Sequence, residues 1–179
     1  MLYGCPPRCD PHPISLTPIP DSALALVPYQ NGDTVVFMHS GGLLVSFVCL
    51  RETSSDSELV FDCYDQPESR IDNTTLSPLY PLNSIVLQLA KYDEQNFSFD
   101  LYTGRSSAFL NVFDSAFFGI DSFYINDNCY NSVAGFKLHS SEYYNYKDLF
   151  GVDSVYYTVE KGILRMTMTN NEYFDLYEE

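Results

Sequence analysis

Five cysteines (Cys5, Cys9, Cys49, Cys63, Cys129) and three histidines (His12, His39, His139) are the residues of this 179-residue chain best suited to holding a metal or attacking a substrate. Structural zinc sites gather their ligands in close pairs, and the chain has no Cys-x-x-Cys. It has no Gly-x-Ser-x-Gly elbow, and no histidine stands in a supporting pattern with Ser or Cys. His39 ends the apolar run VVFMHS and reads as a turn or surface residue. The 24 Asp and Glu residues offer so many carboxylate pairs that none is singled out as the acid and base of a glycosidase. Asp121, Asn126, Asp127 and Asn128 gather oxygen atoms around one turn but lack the EF-hand spacing and its closing Glu, so ordinary turn chemistry accounts for them. The sequence therefore implies no catalytic residue, no metal and no cofactor, and the chain is expected not to be an enzyme.

Two groups of side chains point to structure or contact rather than catalysis. Apolar segments at 43–50 and 57–64 flank the polar stretch RETSSDS. Folding about a centre near Asp56 sets Cys49 opposite Cys63 on one face, which makes them disulfide candidates, with two buried free thiols as the alternative. Cys9 with Cys129 is a pairing by elimination only. Tyr143, Tyr144 and Tyr146 in SSEYYNYKD are the densest tyrosine group outside a clear strand. They are candidates for an interaction surface, toward a sugar face or a protein partner.

The charge narrows the partners. Nine basic residues against 24 acidic ones give a formal charge of −15. Such a chain has no electrostatic attraction for nucleic acid or for an anionic membrane surface. No run of 18 apolar residues occurs, so no helix is expected to span a bilayer.

The elements that must position these residues are strands. Only six alanines are present, against 15 Tyr and 13 Phe, a balance that favours strand over helix. Asn31-Gly32-Asp33 marks a turn before the strand DTVVFMHS, and Ser40-Gly41-Gly42 turns it back into LLVSFVCL. Residues 65–81, with three prolines, read as a polar loop. In 84–92, Ile85, Leu87 and Leu89 alternate with Ser84, Val86 and Gln88, and in NFSFDLY Phe97, Phe99 and Leu101 share a face, so the two pair as a hairpin. Residues 106–119 are ambiguous between a strand with a bulge and a short helical turn. DSFYIN and CYNSVAGFKLH form a hairpin joined at Asp127-Asn128. SVYYTV, ILRMTMT and EYFDLY form the last two hairpins, with Ile163, Arg165 and Thr167 alternating against Leu164, Met166 and Met168. The expected fold is all-β, an antiparallel sandwich or half-open barrel of about nine to ten strands with little or no helix.

The start of the chain has a different character. Six of ten prolines lie between Pro6 and Pro20, so residues 1–28 read as an extended tether and 29–179 as a single antiparallel β domain. Leu2-Tyr3-Gly4-Cys5 resembles the bacterial lipobox, which makes Cys5 the lipidation candidate. Three blocks, VPYQNGDTVVFMHSGG, DSFYINDNCYNSVAGF and SVYYTVEKGILRMTMTNNEYFDLY, resemble uncharacterised β-rich lipoproteins of the Bacteroidota. There a Pro-Tyr-x-x-Gly-Asp strand opens the domain and a Tyr-Tyr-x-x-x-x-Gly-Ile hairpin closes it. Tyr156, Tyr157, Gly162, Ile163 and Leu176 stand where that closing pattern puts them. The resemblance implies a location: the bacterial outer membrane, anchored by lipid on Cys5, with the periplasmic or surface face left open. The expected role is a non-enzymatic accessory or interaction subunit of an envelope complex with protein partners. The alternative is a β-barrel-like binder of an apolar or glycan ligand.

Overall fold

Alternation with period two needs a sheet whose two faces differ, and nearly the whole chain supplies one. The computed structural model describes residues 13–14, 16–56, 66–67, 69–79, 84–93, 97–103, 106–111, 119–140 and 151–178. In chain order these hold β1 (Pro13–Ile14), α1 (Asp21–Leu24), β2 (Thr34–His39), β3 (Leu44–Asp56), β4 (Gln66–Pro67), β5 (Ser69–Pro78), β6 (Ile85–Lys91) and β7 (Phe97–Thr103). They continue with β8 (Ser106–Asn111), β9 (Ile120–Ile125), β10 (Asn128–Lys137), β11 (His139–Ser140), β12 (Val152–Thr158), β13 (Gly162–Met168) and β14 (Tyr173–Leu176). β1 and β4 form a small parallel pair, and the other twelve strands form one sheet in the order β11-β8-β7-β6-β5-β3-β2-β14-β13-β12-β10-β9. All its ladders are antiparallel.

The two ends of that order meet at one strand. Positions 128–133 of β10 pair with β9 and positions 134–137 with β12; one residue later the chain pairs with β8 as β11. The sheet is thus curled into a half-open barrel, with its seam bridged by the two residue pairs His139–Ser107 and Ser140–Ser106. Curling brings distant strands face to face: the rings of Phe99 on β7 and Tyr157 on β12 lie 5.6 Å apart. Phe37 and Phe47 pack edge to face at 5.2 Å beside them. These aromatics, with Leu76, Ile85, Leu87, Leu89 and Leu101, are wholly buried and fill the interior.

Three expectations need correction. First, residues 16–28 are not a tether: Leu16, Ile19, Ala23 and Val27 are buried in the body of the protein. Second, residues 69–78 are not a loop but the ten-residue strand β5. Its inward positions include Asp72 and Thr74 as well as Leu76, so hydrophobic alternation is invisible there. Third, RETSSDS is not a turn from its start; β3 runs on through residues 51–56 and pairs along its length with β5. The neighbour of Cys49 across the ladder is therefore Leu76, and the register that motivated a Cys49–Cys63 bond is replaced by another. The hairpins at β2–β3, β6–β7, β9–β10, β12–β13 and β13–β14 form as expected.

Arg51 explains why the N-terminal segment stays inside. Its Nε donates to both carboxylate oxygens of Asp72 at 3.0 and 2.9 Å. Nη1 donates to the carbonyls of Val27 and Tyr29, each at 3.0 Å, and Nη2 to that of Leu24 at 3.1 Å. Three further groups hold the same segment through four bonds: Lys91 donates to the carbonyl and hydroxyl of Thr17, the Tyr157 hydroxyl to the carbonyl of Leu26, and the Ile163 amide to the Tyr29 hydroxyl at 2.6 Å. The opening and closing motifs thus meet, Tyr29 lying directly against Gly162.

Two outcomes follow. Replacing Arg51 by Met leaves Asp72 buried without its cation and removes the guanidinium donor from the carbonyls of Leu24, Val27 and Tyr29; urea denaturation should show a loss of about 3–5 kcal/mol. At Gly162 (φ 78°) an added Cβ would lie 2.1 Å from the Tyr29 hydroxyl oxygen and 2.3 Å from its Cζ, whereas at Gly32 (φ 90°) it would meet nothing within 4 Å. Gly32→Ala should therefore cost about 1 kcal/mol, the backbone penalty alone. Gly162→Ala should cost more than about 4 kcal/mol, and Tyr29→Phe should not rescue it, because the ring carbon remains.

Candidate functional site

At the end of the barrel where β9 turns into β10 and β12 into β13, the surface opens into a cleft of about 530 Å³. Its walls are residues 128–132, residues 158–161 and Glu178. The first wall is set by backbone conformation: Asn126 (φ 52°) takes the left-handed conformation that the β9–β10 turn needs. Ser132 (φ 53°) breaks the alternation of β10, so that Val133 and Ala134 are both buried after it. The second wall is the turn after Thr158, whose hydroxyl accepts the Lys161 amide at 3.1 Å.

Glu178 joins the two walls. One carboxylate oxygen accepts the Lys161 ammonium at 2.6 Å, and the other accepts the buried Tyr130 hydroxyl at 2.8 Å. The Lys161 and Tyr130 bonds hold the Glu178 carboxyl below its ordinary range, and the same carboxylate raises Lys161. Burial, followed by the bond to Glu178, pushes the Tyr130 hydroxyl up to about 12. The cleft floor is therefore a fixed ion pair with a neutral phenol, flanked by the exposed side chains of Asn128, Cys129, Asn131 and Glu160. Such a set can donate and accept hydrogen bonds without rearranging first.

Among the residues singled out in the sequence, Cys49, Cys129 and His39 lie on β3, β10 and β2 respectively. Cys5, Cys63, Tyr143, Tyr144 and Tyr146 lie outside the described residues. Cys49 is a buried free thiol on the inner face of β3, and burial raises its pKa. Cys129 is free and exposed, and its hydrogen bond with Tyr124 raises the Tyr124 hydroxyl. His39 is a clasp between turns: Nδ1 accepts the Gly41 amide at 3.1 Å, Nε2 lies 3.5 Å from Glu172, and the ring packs 4.8 Å from Phe174. Among the described residues no three His, Cys, Asp or Glu side chains are placed to hold a metal.

The sequence reading missed Tyr130, Lys161 and Glu178. They come from three separate segments, 17 and 48 residues apart from Glu178, and only the strand register makes them neighbours. It also missed Arg165, which is ion-paired with Asp175 and lies between the rings of Tyr173 (4.6 Å) and Phe123 (5.2 Å). Comparison with protein-family models, curated proteins and solved structures finds no match to this chain.

The Glu178 contacts set a direction for pH. A carboxyl with a lowered folded pKa contributes stability above its unfolded value and loses it as pH falls through the folded value. An NMR titration should place the Glu178 midpoint below the ordinary value of 4.5, with its share of stability lost in that acidic window. In Lys161→Met the midpoint should move up toward 4.5.

Proposed function

We propose that this chain is a lipid-anchored protein of the bacterial cell envelope that acts as a non-enzymatic interaction subunit, with Cys5 as the site of lipid attachment. The observation that carries the reading is the outer face of β3. From 44 to 50, Val45, Phe47 and Cys49 point inward and are buried, while of the outward positions Leu44, Ser46, Val48 and Leu50 all but Ser46 are apolar and exposed, Leu44 and Leu50 each at 49%. A strand with one solvated face reads apolar-in and polar-out; one that is apolar on both faces suits cover on both. Leu43 extends the exposed patch at the β2–β3 turn, and Leu79, 76% exposed and bonded through its amide to Ser46, extends it past the end of β5. Contiguous apolar surface of this kind marks contact sites.

Its placement fits a tethered module. Leu44 begins β3, whereas Lys91, which holds Thr17, belongs to the far end of the ladder, where Lys91 pairs with Arg70 and Arg70 with Ser55. Thr17 therefore lies at the end of the ladder opposite Leu43 and Leu44, and an attachment that follows from there keeps the apolar patch free for a partner. The core holds the protein's own aromatics together with Ile19, Ala23, Val27 and Tyr29 of the N-terminal segment, which favours a contact on the outside over a ligand within the barrel.

The test is native mass spectrometry of the full chain extracted from its own membrane in mild detergent. Acyl mass on Cys5 and a stoichiometric protein partner are expected. Leu44→Asp with Leu50→Asp should weaken that partner about tenfold or more while leaving the melting temperature unchanged. A chain that arrives unlipidated and alone overturns the proposal.

A further inference from the structure

We infer that the cleft walled by residues 128–132, 158–161 and Glu178 binds a short, uncharged saccharide. The argument proceeds by the chemistry of the lining. Glu160 and Glu178 outnumber Lys161, in a chain of net charge −15, so phosphates and other anions are repelled. A metal cation would find no three His, Cys, Asp or Glu side chains placed to hold it among the described residues. An apolar ligand would meet amides, carboxylates and hydroxyls where it needs hydrocarbon. What remains is a neutral ligand rich in hydroxyl groups. The side-chain amides of Asn128 and Asn131 both donate and accept, the Glu160 carboxylate accepts, and the Ser132 hydroxyl does either.

Size and shape agree. A volume of about 530 Å³ falls within the ~300–1,000 Å³ of small-ligand pockets. A sugar also presents a face of C–H bonds, for which an exposed aromatic ring is the usual partner. Tyr124, 66% exposed and directly opposite Cys129 in the β9–β10 ladder, stands at the rim of the cleft on the Cys129 side. The Lys161–Glu178–Tyr130 bonds hold the floor in place before the ligand arrives, which lowers the ordering cost of binding. This site shares no residue with the outer face of β3 and requires neither lipid nor a protein partner.

The test uses the full chain on an array of immobilised neutral tetrasaccharides of glucose, mannose, galactose and N-acetylglucosamine, with uronic acid tetrasaccharides alongside. Retention on at least one neutral sugar is expected and should be insensitive to salt. Asn131→Ala and Tyr124→Ala, both at exposed positions, should each weaken it by about five- to tenfold without lowering the melting temperature. The inference is overturned if the folded chain is retained by none of the sugars, only by the uronic acids, or equally well after both substitutions. None of these outcomes bears on Cys5 or on the β3 face, so failure here is distinct from failure of the interaction reading.

Discussion

A single guanidinium decides what occupies this barrel. A charge inside a protein is tolerated only when its donors find acceptors, and Arg51 divides its donors between a carboxylate on the neighbouring strand and three main-chain carbonyls of the N-terminal segment. Neither arrangement suffices without the other. Asp72 balances the charge but leaves the Nη donors unmet, and the carbonyls meet those donors without balancing the charge. The N-terminal segment is therefore not an ornament on a finished barrel. It completes the solvation of a cation that the strands alone would leave half-satisfied.

The same economy explains which parts of the fold could be read from sequence. Where neighbouring strands bury hydrocarbon on one face, as in β6, β7 and β13, the alternation is written locally and was legible. β5 was not, because its inward Asp72 acquires meaning only from Arg51, 21 residues away. The N-terminal segment was misread for a related reason. Its prolines indicate an extended chain, but Leu16, Ile19, Ala23 and Val27 recur every three or four residues, and that spacing of buried positions was the overlooked signal. The cleft left no local trace at all, since its floor is assembled from β10, the β12–β13 turn and the C-terminal segment. The left-handed residue of the β9–β10 turn is Asn126 rather than Asp127 or Asn128, one position from where turn composition alone placed it.

A barrel that fills itself differs from one that carries cargo. Phe37, Phe47, Phe99 and Tyr157 share one buried core with Ile19, Ala23, Val27 and Tyr29 of the N-terminal segment, and the exposed side chains among the described residues face solvent on the outside. Two regions there depart from an ordinary solvated sheet: the doubly apolar strand β3, and the polar cleft with its fixed ion pair. They differ in every property that matters for recognition, one being uncharged hydrocarbon and the other a set of directional donors and acceptors.

The Tyr29–Ile163 bond joins residues 134 positions apart, and Tyr157 reaches back 131 positions to Leu26. During vectorial synthesis residues 26 and 29 are made well before the two groups these bonds need, Tyr157 and Ile163. Until then the Leu26 carbonyl and the Tyr29 hydroxyl lack these partners, while Arg51, 22 to 27 residues on, is already present for the carbonyls of Leu24, Val27 and Tyr29; the contacts that close the segment in are the long-range ones that form late.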